Sequence, residues 1–94
     1  MKLLRIIRSS HPDKKYAAVF DEDGHTFMTH FGARGMDDYT LTHDKEQRAR
    51  YRARHAKDLT GDPTRAGYLS YYILWGASTS MRANFASFKK RFKV

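Results

Sequence analysis

The sequence predicts a single α+β domain in which a small antiparallel sheet of three strands precedes three helices. Three observations favour this class. The first forty residues contain short apolar segments of strand length that are separated by turn residues. The rest of the chain contains helix-forming and apolar segments that begin and end at capping residues. A chain of 94 residues suits one domain, residues 1–94, and leaves no room for a second.

The first three predicted elements are strands. Residues 3–8 are apolar and β-branched, and Pro12 then interrupts the pattern. Residues 16–20 and 26–31 both alternate in the manner of strands with two different faces. The acidic segment between them, residues 21–24, ends in an Asp-Gly pair, which hairpin turns favour. The second and third strands should therefore form a hairpin.

The segment after the hairpin predicts a structured crossover from the sheet to the first helix. Gly32 and Gly35 lie three residues apart, a spacing that permits positive φ angles or a close backbone approach. A phosphate cradle is the alternative, but one G-x-x-G spacing is a weak signal. In a structured crossover Tyr39 would pack, and Asp37 or Asp38 would pair with nearby arginines.

Residues 42–58 predict one strongly basic helix, since the residues between the alternate arginines are good helix formers. Asp44 is a suitable N-cap, and Gln47 stands at the capping-box position. At 100° per residue one narrow face carries only small side chains, and it would let the helix lie close to the sheet or to another helix. This face consists of Ala49, Ala53 and Ala56.

The remaining sides of this helix are predicted to have two roles, one side holding the helix to the fold and the other facing outward. Tyr51 and His55 share a side with Asp44, and they would hold the helix to the crossover and to the helix that contains Trp75. Arg48 and Arg52 flank that side. The helix cannot bury all its cations, so one row should point outward; this outward row consists of Arg50, Arg54 and Lys57.

Two more helices complete the predicted fold. Asp62-Pro63 predicts a start, since an N-cap followed by proline is a common opening. Residues 67–76 are apolar almost all round, which is typical of a central helix, and Gly76 is a natural stop. The last helix, residues 81–92, has one apolar stripe that should be buried: Met81, Phe85, Phe88 and Phe92.

Charge is distributed unevenly along the chain. The net charge is +8, and residues 41–94 supply all of it, because residues 1–40 carry equal numbers of acidic and basic side chains. A neutral half joined to a basic half predicts an anionic partner for the basic half. The alternative is a solvated face whose arginines pair internally with Asp37, Asp38, Asp44 and Glu46. The candidate partner-binding residues are Arg48, Arg50, Arg52, Arg54, Lys57, Lys89, Lys90, Arg91 and Lys93.

Catalytic and metal-binding patterns are weak throughout. The chain has no cysteine, so it has neither disulfides nor a thiolate metal site, and its five histidines lack zinc-site spacing. Asp37 and Asp38 could hold Mg²⁺ with Asp44, although nothing in their spacing requires it. Ser70 falls in the most apolar segment, where a packed hydroxyl is expected. We therefore predict a binding protein with no cofactor, no signal peptide and no membrane span, which is not secreted.

Five segments together resemble a known family. They are Tyr-Ala-Ala-Val-Phe at 16–20, Phe-Gly-Ala-Arg-Gly at 31–35 with Asp-Tyr-Thr at 38–40, Arg-Tyr-x-x-Arg-His at 50–55, Gly-x-Leu-Ser-x-x-Ile-Leu-Trp at 67–75, and the Phe-Lys-Lys-Arg-Phe ending. This combination, over roughly residues 15–92, resembles small uncharacterised proteins of giant double-stranded DNA viruses of the chlorella-virus and mimivirus kind. One departure is that the region after His55 is more basic in that family than it is here.

The resemblance implies a viral origin, a location in the virion or the host cell interior, and no catalytic residues. The first function that it implies is a minor capsid or core component whose arginine-rich helix contacts acidic capsid or core proteins. The alternative is a nucleic-acid-binding protein that acts in packaging or regulation without sequence-specific readout.

The residues expected to hold the fold together are Phe31, Gly32, Gly35, Tyr39, Tyr51, His55, Leu69, Trp75, Phe85, Phe88 and Phe92.

Overall fold

An antiparallel three-stranded sheet is built from the first third of the chain. The computed structural model describes all 94 residues. Strand β1 is Lys2–Arg8, β2 is Lys14–Glu22 and β3 is His25–Ala33. The strand order is β1-β2-β3, so β2 is central and both other strands lie at edges. All three predicted strands are confirmed.

The β2–β3 hairpin forms as predicted. Glu22 pairs with His25, which leaves a two-residue turn. Both turn residues have positive φ, 53° for Asp23 and 85° for Gly24, which is the pattern of a type I′ turn. Phe20 and Phe27 are directly opposite in this register, and their rings stack with centroids 5.2 Å apart. The turn and this cross-strand pair fix the register together.

Four helices follow the sheet, where the sequence predicted three. The additional helix is a single turn between the crossover and the basic helix. Its N-cap is Asp38, whose side chain accepts from the Thr40 N–H, and its C-cap is His43, whose φ of 56° is left-handed. The α+β class is confirmed. The helices are α1 Tyr39–Thr42, α2 Lys45–His55 with a 3₁₀ turn over Ala56–Asp58, α3 Ala66–Leu69 continued by a π-helical segment Ser70–Leu74, and α4 Met81–Phe92.

The core lies between one face of the sheet and the last two helices. The apolar segment that contains Leu69 and Trp75 is central, as its composition predicted, and it packs between the sheet and α4. The aromatic stripe of α4 faces this core, with Phe88 fully buried and Phe85 and Phe92 half-buried. The buried cluster comprises Leu3, Ala18, Phe20, Phe31, Tyr39, Tyr68, Leu69, Ile73, Leu74, Trp75 and Phe88.

The third helix begins later than predicted. Asp62 does not cap a helix that starts at Pro63. Its carboxylate instead accepts from the N–H and the hydroxyl of Thr64, at 3.0 Å and 2.7 Å, and closes a local turn. The helix starts only at Ala66. The prediction was wrong because the Asp-Pro-Thr segment satisfies its own polar groups in a turn.

One buried polar side chain locks the end of the π-helical segment to α4. Asn84 donates to the carbonyls of Ile73 and Ser78 at 2.9 Å and 2.7 Å, and its side-chain oxygen accepts from the Ser78 N–H at 3.0 Å. All three bonds form in a nearly dry environment, since Asn84 is 3% exposed. The neighbouring Gly76 is required here, because no space is left for a side chain at that position.

Candidate functional site

The basic helix α2 begins at a cap built from three side chains. Asp44 accepts from the N–H groups of Glu46 and Gln47 at 3.0 Å and 3.1 Å, which confirms it as the N-cap. The predicted capping box has a different form. The Thr42 hydroxyl accepts from the Asp44 N–H and donates to the Gln47 side chain, so it bridges the two groups that a capping box joins directly.

Three stacked rings hold α2 to the central helix. The Tyr51 ring lies between Trp75, at a centroid distance of 4.2 Å and 7° from parallel, and His55, at 4.1 Å. His55 is held in place in turn by a 2.8 Å contact with the Asp58 carboxylate. The structure therefore confirms that Tyr51 and His55 attach α2 to the Trp75 segment.

The environment of Tyr51 changes its acidity. Burial raises the pKa of the Tyr51 phenol above its ordinary value of 10.0, and the nearby Asp58 carboxylate raises it further. The hydrogen bond with Ser70 and the charge of Arg54 lower this pKa, but burial is the larger effect. The folded protein therefore favours the neutral phenol.

We expect this shift to appear as alkaline sensitivity that Tyr51→Phe reduces. Below pH 10.0 the phenol is neutral in both states. Above that pH the unfolded state ionises first, so the free energy of unfolding falls until the raised folded-state pKa is passed. Urea unfolding at a series of alkaline pH values should give a shallower fall for the Phe variant. Ser70→Ala, which removes the opposing hydrogen bond, should widen the affected pH range. An identical pH dependence for all three proteins would contradict the assignment.

Two of the predicted partner-binding arginines are used inside the fold. Arg48 Nε donates to the carbonyls of Trp75 and Gly76 at 3.2 Å and 2.7 Å. Arg52 Nη1 donates to the carbonyls of Tyr71 and Trp75 at 3.1 Å and 2.9 Å. The last carbonyls of a helix have no intrahelical N–H donor, and these guanidinium groups donate hydrogen bonds to them instead. Arg48 and Arg52 therefore hold α2 to the central helix, which corrects their prediction as partner-binding residues.

The alanine face of α2 does not pack as predicted. Ala49, Ala53 and Ala56 are all exposed. The buried side is the opposite one, since burying the large Tyr51 ring and satisfying the helix-end carbonyls outweighs burying three methyl groups. These three alanines therefore form a solvent-exposed stripe of small side chains along the helix, which we call the alanine stripe.

The outward row is exposed as predicted, and carboxylates do not neutralise it. Arg50, Arg54 and Lys57 are all exposed. The protein has three salt bridges, and none of them uses an arginine or lysine of α2. The predicted pairing of Asp37 or Asp38 with arginines is wrong, because Asp38 pairs with Lys15 at 2.7 Å. The helix carries uncompensated positive charge.

Cations from α2 and α4 meet over two tyrosines. The Arg52 guanidinium lies 4.0 Å from the Tyr71 ring centroid and 5.7 Å from that of Tyr72, and Arg91 lies 5.1 Å from the Tyr72 centroid. Burial lowers the pKa of Arg52, and the charges of Arg48 and Arg91 act in the same direction. Since no carboxylate balances these groups, an anion would be stabilised beside them.

The other predicted cations of α4 are placed separately. Lys89 lies 5.7 Å from the ring centroid of Phe85. Lys90 and Lys93 are exposed, as is Arg91. Of the three predicted cations of α4 and its C-cap Lys93, the structure brings Arg91 to the α2 surface. Lys45, exposed at the start of α2, was absent from the prediction, although its place one turn before Arg48 was visible in the sequence.

A cleft of about 470 Å³ borders the outward row at Arg54. The crossover forms one wall, and Tyr51, His55 and Trp75 contribute to the other. Gly32 is necessary here, since its φ is 79° and an added Cβ would lie 2.8 Å from Leu74. Gly35 also has a positive φ, 83°, in open space.

The acidic residues of the crossover have different environments. Asp38 is almost fully buried, and its carboxylate accepts from Lys15 and from the N–H and hydroxyl of Thr40. Asp37 is exposed. No group of three or more histidine, aspartate and glutamate side chains is arranged to hold a metal ion. Asp38 is therefore a structural carboxylate that joins the sheet to α1.

Comparison with known families concerns the first five elements. A family model matches residues 4–55, slightly more than half of the chain. The chain belongs to the family of unknown function DUF5754. The matched range contains the sheet from residue 4 onward, α1 and α2, and it ends where α2 ends. No curated protein and no solved structure matches the chain. None of its helices combines the length and the apolar character needed to cross a membrane.

Proposed function

We propose that this DUF5754 protein is a non-enzymatic protein that binds duplex nucleic acid through α2. The observation that carries the proposal is the alanine stripe with uncompensated cations on both of its sides. Arg50, Arg54 and Lys57 lie on one side of the stripe, and Lys45 lies on the other. Arg91 of α4 extends the second side, since it shares the Tyr72 ring with Arg52.

The shape of this surface suits a groove between two phosphate-lined walls. An α-helix about 10–12 Å across fits the major groove, which is about 12 Å wide. Small side chains on the central stripe allow the helix to approach the floor, while cations at its margins reach the phosphates. Arginine is well suited to that contact, because its planar fork donates two parallel hydrogen bonds to phosphate oxygens.

The same surface favours binding without sequence-specific readout. Base edges are distinguished by hydrogen-bonding side chains that face the groove floor. Apart from the exposed Glu46 in the first turn, the side chains along the centre of the exposed face are methyl groups, which offer neither donors nor acceptors. Affinity would come from the phosphates, and it would depend strongly on salt.

The competing proposal is a minor capsid or core component that contacts acidic proteins, since carboxylates bind the arginine guanidinium group as phosphates do. The exposed alanine stripe favours the nucleic-acid reading, because an acidic protein surface does not require an unobstructed helix centre. The proposed location, in a virion or inside a host cell, rests on the family resemblance of the sequence.

A charge-matched pair of variants tests the proposal. We expect Arg50→Gln/Arg54→Gln/Lys57→Gln to weaken binding to a fluorescent duplex by roughly two orders of magnitude at about 0.1 M salt, because three phosphate contacts are lost. The control, Lys2→Gln/Arg5→Gln/Arg8→Gln, removes the same charge from exposed positions of β1. It should change affinity by no more than about threefold, since only long-range attraction falls. Equal losses in both variants would contradict a site on α2.

A second pair of measurements separates the two partner classes. Ala49→Leu/Ala53→Leu fills the alanine stripe without changing charge or reducing helix propensity. It should weaken duplex binding and leave binding to polyglutamate, a model of an acidic protein surface, unchanged. Tighter binding to polyglutamate than to the duplex, together with insensitivity of duplex binding to the leucines, would favour the acidic-protein reading.

A further inference from the structure

A second open surface lies on the opposite margin of the sheet from β3. It is a groove of about 320 Å³ between the edge strand β1 and the helix α4. Apolar side chains form most of it and arginines supply its charge. The lining residues are Leu4, Arg5, Ile6, Met81, Arg82 and Phe85.

The backbone of β1 is available along this groove. β1 pairs with β2 alone and lies at an edge of the sheet, so its outer N–H and C=O groups have no strand partner. The register shifts between Leu3 and Arg5, and the extra residue, Leu4, is 41% exposed. An unpaired edge is a template for an added strand, and the bulge and the cations of β1 restrict which strands can pair with it.

The charge of the groove determines which kind of strand can pair with β1. Arg5 and Arg82 are exposed, neither takes part in a salt bridge, and no carboxylate lines the groove. Antiparallel pairing of β1 with β1 of a second copy, centred on Arg5, would set Arg5 against Arg5 and Lys2 against Arg8, and like charges across a strand pair are destabilising. An acidic strand has the complementary charge.

We propose that this groove binds an extended acidic segment of a partner protein, which adds to β1 as a fourth strand. The main chain of the segment would hydrogen-bond to the free edge of β1. Because side chains alternate along a strand, one set would enter the groove beside Leu4, Phe85 and Arg82, and the acidic set on the other face would reach Arg5. This site is separate from α2, so it stands independently of the nucleic-acid proposal.

Three peptides test the mode of binding. The probe is a fluorescein-labelled heptapeptide in which glutamate and valine alternate. We expect it to bind saturably, the version with glutamine in place of glutamate to bind at least about tenfold more weakly, and the version N-methylated at every residue not to bind, since it lacks the N–H groups of a strand. Amide shifts on binding should be confined to β1 and to residues 81–85. Absence of saturable binding, or equal binding of the N-methylated peptide, would overturn the proposal.

Variants locate the site and distinguish the occupant. Arg5→Gln should weaken peptide binding about fivefold or more, and Leu4→Glu should abolish it, while Lys90→Gln, which removes one exposed charge from α4, should change it by less than about twofold. The α2 triple variant should bind the peptide as the wild type does, so failure of one proposal does not imply failure of the other. Sedimentation showing a dimer that Leu4→Glu dissociates would assign the groove to a second copy and overturn the peptide proposal.

Discussion

Replacing Gly76 by alanine is expected to destabilise the fold by more than about 4 kcal/mol. The added Cβ would lie 2.2 Å from the Tyr72 carbonyl oxygen and 2.7 Å from Cγ of Asn84. Neither neighbour can move cheaply. The first is the backbone of the π-helical segment, and the second is held by three hydrogen bonds. Relief would require separating the central helix from α4, which opens the core.

Urea unfolding with circular dichroism measures this effect, and Gly35→Ala is the control. Gly35 has a φ of 83°, but nothing lies within 4 Å of its added Cβ. Its replacement should cost only about 1–2 kcal/mol, the penalty of a left-handed backbone for one residue with a Cβ. Equal losses for the two variants would contradict the role of close packing at Gly76, whose φ is not positive.

Replacing Asp38 by alanine is expected to cost about 3–5 kcal/mol. The Asp38 side chain is 2% exposed, and its partner, the Lys15 side chain, is 13% exposed. Truncation would leave a nearly buried ammonium group without its 2.7 Å partner and would remove the cap of α1. Since α1 leads directly into α2, the loss should also loosen the attachment of α2 to the sheet.

Two further variants separate the causes. Asp37→Ala removes the adjacent exposed carboxylate and should change the free energy of unfolding by no more than about 0.5 kcal/mol. Lys15→Met in the Asp38→Ala background removes the stranded charge and should recover part of the lost stability, a coupling that a double-mutant cycle measures. If Asp38→Ala costs no more than Asp37→Ala, the buried ion pair does not hold the sheet to α1.

Local chemistry explains why the strands and the hairpin could be predicted from the sequence. An Asp-Gly turn and period-two alternation act over a few residues, so no distant partner is needed to interpret them. The aromatic stripe of α4 was predictable for the same reason. The start of α3 was not, because Asp62 has two local options, capping or turn formation, and the presence of Thr64 favours the turn.

The buried face of α2 could not be predicted, since it depends on partners far along the chain. A helical wheel shows that Ala49, Ala53 and Ala56 share a face, but it does not show which face has something to pack against. The stack on Trp75 and the carbonyls that Arg48 and Arg52 bind become neighbours only when the chain folds. The outward row was predicted correctly, because Arg50, Arg54 and Lys57 lie neither on the alanine stripe nor on the side that packs through Tyr51.

The candidate site was predicted in outline and redefined in detail. The sequence identified α2 as the basic element, but it could not separate anchoring arginines from available ones. It also gave no indication that Arg91 would join Arg52 over Tyr72, because that contact joins helices distant in sequence. The groove beside β1 was missed because its two walls lie at opposite ends of the chain.

The salt dependence of duplex binding tests the central claim, that the exposed cations of α2 bind phosphates, most directly. Five available cations, Lys45, Arg50, Arg54, Lys57 and Arg91, predict a slope of log affinity against log salt of about −4.5 for the wild type. The Arg50→Gln/Arg54→Gln/Lys57→Gln variant should give a slope shallower by about 2.7, whereas the β1 triple variant should keep that of the wild type. A wild-type slope near zero, or the same slope for the wild type and the α2 variant, would contradict the account.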